Sequence, residues 1–318
     1  MVRLLCSALF VCLSFGLFGC SQDEAPKPHS SPGLKPLVVG VMSSLDYLPL
    51  AIAEREGYFA ELGAPITIQP FFSANERDAA FQSKSIDGTI IDFTGAIIQH
   101  ASGVDLRLTS RCDAPFYLLS SPESKVTRIA GLEGRSVAIS QNTVIDYLVD
   151  QALVKNEVPT DSVSRVEINR IPIRYEMLAN NKIDATGLPN PFALLAVKSG
   201  ATVLTSNKDM NLSITGIMFT LDAIHQKPEQ IRKLYQAYSQ GVCYLLEHPV
   251  SDYQDILVER FGYTEDIIPQ TPALKYGYPA LPDAQSIIEV TQWLKQRQLI
   301  REDYDPTDSL LDGQFLPQ

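Results

Sequence analysis

Short apolar runs alternate with helical stripes through most of this chain. Leu37-Val38-Val39-Gly40-Val41 is short enough to be a buried strand. It passes through Ser43, Ser44, Leu45 and Asp46 into an expected helix, with Pro49 in the first turn and Gly57 at the end. The same alternation continues, predicting strands over 66–72, 89–93 and 106–110 and helices over 74–84 and 94–101. Asp87-Gly88 reads as a turn and Gly103 as a helix stop. Strands spaced by helices in this way predict parallel βαβ units.

Phe116 to Ser120 (FYLLS) breaks the rhythm, being a continuous apolar strand with no helix before it. It is read as a crossing into a second lobe, where the series starts again. A strand over 135–140 meets the polar junction Gln141-Asn142-Thr143. The helix over 144–156 then keeps Val144, Ile145, Leu148, Val149, Ala152 and Leu153 on one face. A strand over 166–171, a short helix over 174–180 and a strand over 183–188 follow. Pro189-Asn190-Pro191 opens a helix over 192–198, and 202–205 closes the series. Leu212 to Thr220 is a second run without a helix and reads as the return crossing. The remainder is helical from Pro228, with further helices over 251–261 and 283–299, the last carrying Trp293; these are expected to pack on the first lobe. The expected fold class is α/β, a two-lobe clamshell joined by two crossing segments. Residues 37–115 and 213–318 form lobe one and 116–212 lobe two. Such a body closes by hinge motion around a solute.

Composition changes the picture only at the N-terminus. With 45% hydrophobic and 20% charged residues, the chain can fill two ordinary cores. Arg3 precedes an apolar run, Leu4 to Phe18, that is too short for a membrane span. It ends Leu17-Phe18-Gly19-Cys20, which resembles the lipobox of bacterial lipoprotein signal peptides. Residues 1–19 are therefore expected to be a signal peptide. The resemblance implies that Cys20 is the lipidated N-terminus, a membrane anchor, and the Pro- and Ser-rich stretch 20–36 reads as a flexible tether. Loss of 1–19 removes Arg3 and no acid, moving the formal charge from −11 to −12. That charge, with no basic cluster to offset it, argues against nucleic acid as a partner.

Cys112 and Cys243 remain in the mature chain, either paired or as two separate thiols, the latter favoured. The four histidines are scattered and no cysteine or histidine pair has ligand spacing, so no metal site is expected. Nucleotide-binding and nucleophile-elbow motifs are absent, and no cofactor is expected.

Ligands of open parallel sheets sit beyond the carboxyl ends of strands. Four junctions meet that rule, two in each expected lobe. They supply Ser43, Ser44, Asp46, Tyr47, Asp92, Phe93, Thr94, Gln141, Asn142, Thr143, Pro189 and Asn190 as candidate ligand-binding residues. Asp46 and Asp92 could neutralise a cationic amine or protonated ring nitrogen in a dry cleft. They could equally cap the helices that follow them. Tyr47 and Phe93 could stack on a flat ligand, and Asn142, Thr143 and Asn190 offer neutral hydrogen bonds. Arg111 and Arg174 could instead hold an anion, although Arg174 reads as an exposed helix charge and Asp87 as a structural turn residue. The two acids favour a pyrimidine or other amine-bearing heterocycle.

Several ordered motifs resemble one family. They are Ser44-Leu45-Asp46-Tyr47-Leu48-Pro49, Ala53-Glu54-Arg55-Glu56-Gly57-Tyr58-Phe59, Ser85-Ile86-Asp87-Gly88, Leu132-Glu133-Gly134-Arg135-Ser136-Val137-Ala138, Leu188-Pro189-Asn190-Pro191 and the closing Leu311-Asp312-Gly313-Gln314-Phe315-Leu316-Pro317. Together with the lipobox, they resemble the NMT1/THI5-like and SsuA/TauA-like solute-binding lipoproteins of bacterial ABC importers. The resemblance implies a type II periplasmic-binding-protein fold and a monomer facing the periplasm or exterior. It also implies a small-molecule solute, and delivery to an ABC permease and its ATPase. Relatives bind sulfonates, nitrate or pyrimidine precursors, so an anion binder is the alternative. A second alternative is an enzyme on the same fold, of the pyrimidine-synthase or menaquinone-pathway lyase type. The cysteine-rich motif of the pyrimidine-forming enzymes does not occur here.

Overall fold

The computed structural model describes residues 34–271, 275–307 and 309–317. The expected signal peptide, Cys20 and nearly all of the expected tether lie outside the described residues.

The first half runs β1 (Leu37–Met42), α1 (Leu48–Arg55), α2 (Tyr58–Glu61), β2 (Ile66–Phe71), α3 (Ala74–Gln82), β3 (Gly88–Asp92), α4 (Phe93–Ala101) and β4 (Leu106–Arg111). Next come β5 (Phe116–Ser120), β6 (Ser136–Ile139), α5 (Val144–Lys155), β7 (Ser164–Glu167), α6 (Ile171–Ala179), β8 (Ala185–Pro189), α7 (Phe192–Lys198) and β9 (Thr202–Ser206). The chain finishes with β10 (Thr215–Thr220), α8 (Leu221–Gln226), α9 (Pro228–Glu247), α10 (Gln254–Phe261) and α11 (Ala284–Gln296).

The strands form two sheets of identical plan, ordered β2-β1-β3-β10-β4 and β7-β6-β8-β5-β9. Within each, the first three strands are parallel. The fourth, β10 or β5, is antiparallel to both neighbours. The expected α/β clamshell is observed, with mixed rather than purely parallel sheets. The two helix-less runs are the reason. A parallel strand needs a crossover helix, whereas a strand arriving from the other lobe enters antiparallel without one. Residues 116–120 and 215–220 are thus inner strands, and the true links are the short segments 112–115 and 207–214. Position explains their composition, since every residue of β10 is buried while edge strand β7 has none buried.

The links are braced against one another. The Asn207 side chain accepts from the Phe116 amide at 2.8 Å and donates to the Leu212 carbonyl at 3.1 Å. The Cys112 amide donates to the Thr215 carbonyl at 2.8 Å. Cys112 is buried and Cys243 half-buried, and both are free thiols.

Two features anchor the tail helices. A Cβ on Gly241 of α9 would stand 2.1 Å from the Pro49 carbonyl oxygen, so α9 meets α1 backbone to backbone. Alanine there gains up to ~1 kcal/mol of helix propensity but must displace a backbone carbonyl. Gly241→Ala is expected to destabilise by about 1–2 kcal/mol net in denaturant unfolding. A variant at least as stable as the parent would show that the two helices can slide apart freely.

Helix α11 departs from expectation, since it is not confined to the first lobe. It packs on α4, and Trp293 Nε1 also donates to Asp150 of α5 at 2.8 Å. The Trp293 and Tyr147 rings meet edge to face with centroids 5.4 Å apart. Arg297 and Arg165 together clamp Asp146 and Asp150. One continuous apolar cluster accordingly includes Phe93 and Ile97 from α4, Leu148 and Val149 from α5, and Trp293.

Candidate functional site: the cleft between the sheets

The carboxyl ends of β1, β3 and β6 face one cleft, with its empty space about 510 Å³ including its open mouth. Met42, Ser44, Asp46, Arg77, Asp92 and Thr215 line one side, and Ser140, Thr143, Asn169 and Arg174 the other. A cleft of this size suits a small solute.

Asp46 is 2% exposed. One carboxylate oxygen accepts from the Ala114 amide at 3.1 Å and the Thr215 hydroxyl at 3.3 Å. The other accepts from the Ser44 hydroxyl at 3.3 Å. Because Ala114 lies in one link and Thr215 ends the other, this side chain ties both links to the loop after β1. Burial raises its pKa from 3.8 to about 7, against the lowering effect of its three neutral donors. Asp46 therefore does not cap the helix after it; it braces the hinge.

Asp92 caps the next helix and forms an ion pair as well. Its carboxylate accepts from the Gly95 amide at 3.2 Å, from the Thr94 hydroxyl, and from Arg77 Nη2 at 3.2 Å. Arg77 is shared with Asp78 at 2.9 Å. Burial pulls the Arg77 pKa down, and the two carboxylates more than restore it.

Arg174 is a correction to the sequence reading, because it is buried, 2% exposed, rather than an exposed helix charge. Nη1 donates to the carbonyls of Ile168 and Asn169 at 2.9 and 3.3 Å, while Nε has no partner. Among the described residues no acid neutralises it, and burial lowers its pKa to about 10, leaving it charged at neutral pH. Arg111, the other anion candidate, lies outside this cleft beside Asp113 at 3.9 Å.

The other predicted residues divide. Thr143 lines the cleft, caps α5 through the Ile145 amide and donates to the Ser140 carbonyl at 2.8 Å. Asn142 adopts φ 61°, a conformation asparagine tolerates, which brings its amide onto Asp146 at 3.0 Å. Its Oδ1 is buried without a partner. Asn190 is 1% exposed and neither side-chain polar atom has a partner of ordinary geometry, although its proximity lowers the burial-raised pKa of Tyr117. Pro189 is buried at the end of β8, Gln141 is exposed, and Ser43 is half-buried. Tyr47 and Phe93 are not stacking surfaces. Tyr47 stacks on Phe261 of α10 at 4.4 Å and donates to the Arg260 carbonyl, and Phe93 is wholly enclosed in the core. Asp87 accepts from the Val38 amide and Lys227, a structural role as read. Sequence reasoning placed Ser140 at a junction without making it a candidate, and it missed Arg77, Thr215 and Asn169. Only Thr215 carried a signal, standing in the helix-less return run.

The model of the NMT1/THI5-like family matches residues 44–251. The chain belongs to that family. Among solved structures, this NMT1/THI5-like chain shares its fold with the periplasmic nitrate-binding protein NrtA from Synechocystis PCC 6803. The TM-score is 0.76 at 16% identity, covering 89% of this chain and 87% of that one. The periplasmic aliphatic sulphonate binding protein SsuA from Escherichia coli follows, with TM-score 0.72, 15% identity, and 91% and 95% covered. The desulfurization enzyme DSZB has the same fold, with TM-score 0.65, 16% identity, and 88% and 97% covered. No curated protein matches the sequence.

Proposed function

We propose that this chain is the lipid-anchored, extracytoplasmic solute-binding subunit of an ABC importer. It captures a small polar organic solute between its lobes and presents it to a permease and its ATPase. The observation that carries the reading is the cleft itself, which holds a buried guanidinium and a buried carboxylate with no charged partners of their own. Isolated buried charges are costly, and a solute that neutralises them lowers that cost. NrtA and SsuA, which share the fold, are named as binders of nitrate and aliphatic sulphonate, both anions. Anchoring rests on Leu17-Phe18-Gly19-Cys20, and among the described residues no helix is long and apolar enough to cross a membrane.

The preference for an amine-bearing heterocycle now rests on Asp46 alone, since Asp92 is engaged by Arg77 and the start of α4. The anion-binding alternative draws its support from Arg174. An enzyme on this fold is the competing class, as DSZB illustrates. The residues lining the cleft include no histidine or cysteine to pair with Ser44 or Ser140 as a base or nucleophile, which favours binding over chemistry.

A thermal-shift screen of the full-length protein against amines, pyrimidines, amino acids, sulfonates and nitrate tests the reading. A true solute at a hundred times its Kd adds about 2.7 kcal/mol of stability by mass action. Turnover of a hit into product would overturn the non-enzymatic assignment, and silence across every class would overturn solute binding.

A further inference from the structure

We propose that Arg297, acting through Asp146, is a positioning residue that holds the turn 140–143 in shape at the second-sheet wall of the cleft. It rests on the solute-binding reading only in that this turn is taken for a solute contact. Ser140 and Thr143 line the cleft, and the chain between them passes through Asn142 at φ 61°. Left-handed backbone costs any residue with a Cβ some stability, so it persists where a contact holds it. Here the Asn142 amide donates to Asp146 at 3.0 Å, and the Thr143 hydroxyl donates to the Ser140 carbonyl at 2.8 Å.

An acid in the first turn of a helix that reaches back to a preceding amide is a common capping arrangement, and it needs no cation. Asp146 goes further. It is wholly buried, and two arginines from different parts of the chain converge on it. Arg165 comes from β7, in the same sheet as the turn. Arg297 comes from the end of α11, which also packs on α4 between β3 and β4 of the first sheet. Its Nη2 stands 3.1 Å from Asp146 Oδ2, the same oxygen that accepts from Asn142. Burial raises the Asp146 pKa, while the Asn142 amide and both arginines pull it back down. Without Arg297, Asp146 keeps Arg165 on its other oxygen alone. A buried carboxylate stripped of half its compensation turns toward the cation that remains, and so away from Asn142. Neither Asp146, Arg165 nor Arg297 lines the cleft, so the control is exerted from outside it. The turn is therefore complete only while α11 is seated on its seam.

The test is amide hydrogen exchange of the full-length protein, read residue by residue by NMR without any solute. Arg297→Gln should speed exchange of the Asn142 amide about tenfold, the effect of losing one buried charge-assisted bond. Ala152 and Leu153, buried in the later turns of α5, should still exchange more slowly than Asn142, which marks a local opening. Arg297→Lys, the milder variant, keeps the charge and should give a smaller rise. Trp293→Phe removes the bond to Asp150 but leaves Arg297 on Asp146, and should leave the Asn142 rate unchanged. An unchanged or slower Asn142 amide in Arg297→Gln overturns the proposal. So does an equal rise in Trp293→Phe, because a loosened seam would then be the cause. Silence in the thermal-shift screen together with a loosened turn in Arg297→Gln would strike the solute-binding reading and leave the hold of Arg297 on the turn standing.

Discussion

Arg77→Ala should destabilise the protein by about 3–5 kcal/mol, the typical cost of stripping one partner from a buried ion pair. The side chain is only 3% exposed, and its guanidinium touches both Asp92, at 3.2 Å, and Asp78, at 2.9 Å. Without it Asp92, in the wall of the cleft, and Asp78 lose the cation they share. Asp92 cannot turn away, because it also holds the Gly95 amide and the Thr94 hydroxyl at the start of α4. Burial already raises the Asp78 pKa, and Arg77 is the main influence holding it down. Denaturant unfolding near neutral pH reads the loss. Adding Asp92→Asn to Arg77→Ala should recover part of it, since one uncompensated charge is then gone. A loss below about 1 kcal/mol would place the pair in the range of solvent-screened surface bridges.

Asp46 should make stability fall as pH rises toward neutrality. Its carboxyl pKa is raised from 3.8 to about 7 by burial, so the folded protein holds this proton more tightly than the unfolded chain. Stability from this group is therefore fully present below about pH 4 and is lost as pH climbs through about 7. Each tenfold gain in proton affinity is worth about 1.4 kcal/mol, so the whole change is about 4 kcal/mol. Asp46→Asn keeps the shape and cannot ionise, so its stability should lack this slope. The check is unfolding free energy for parent and variant from about pH 5 to about pH 8, where identical slopes would mean the carboxylate is solvated after all. An ammonium bound beside Asp46 lowers its pKa, so binding below neutrality should release a proton into buffer.

The fold was legible because its signals are local. Apolar runs marked the ten strands of the described residues, and the missing helices before 116–120 and 212–220 marked the changes of sheet. The misreadings concern contacts between distant segments. Nothing in the phase of a nine-residue helix shows that Arg174 is buried, held by the carbonyls of Ile168 and Asn169. Tyr47 looked free for a ligand because its partners, Arg260 and Phe261, stand more than two hundred residues away. Phe93 stands at a strand-to-helix junction, where the pleat turns its ring inward while Asp92 faces the cleft. Asp46 and Asp92 invited both a capping and a ligand reading because the same carboxyl chemistry serves either purpose. Only the positions of Ala114, Thr215 and Arg77 separate them.

Helix α11 and its seam with α4 and α5 give the clamshell a spine. Trp293 is only 6% exposed there, and Asp150 is gripped by Trp293, Arg165 and Arg297. Breathing of the cleft must then pivot about this spine, and neither half can melt without exposing part of the other's interior. A calorimeter should accordingly record a single endotherm rather than two. Amides of α4 and α5 should exchange their hydrogens only through global unfolding, while those around the mouth exchange through smaller openings.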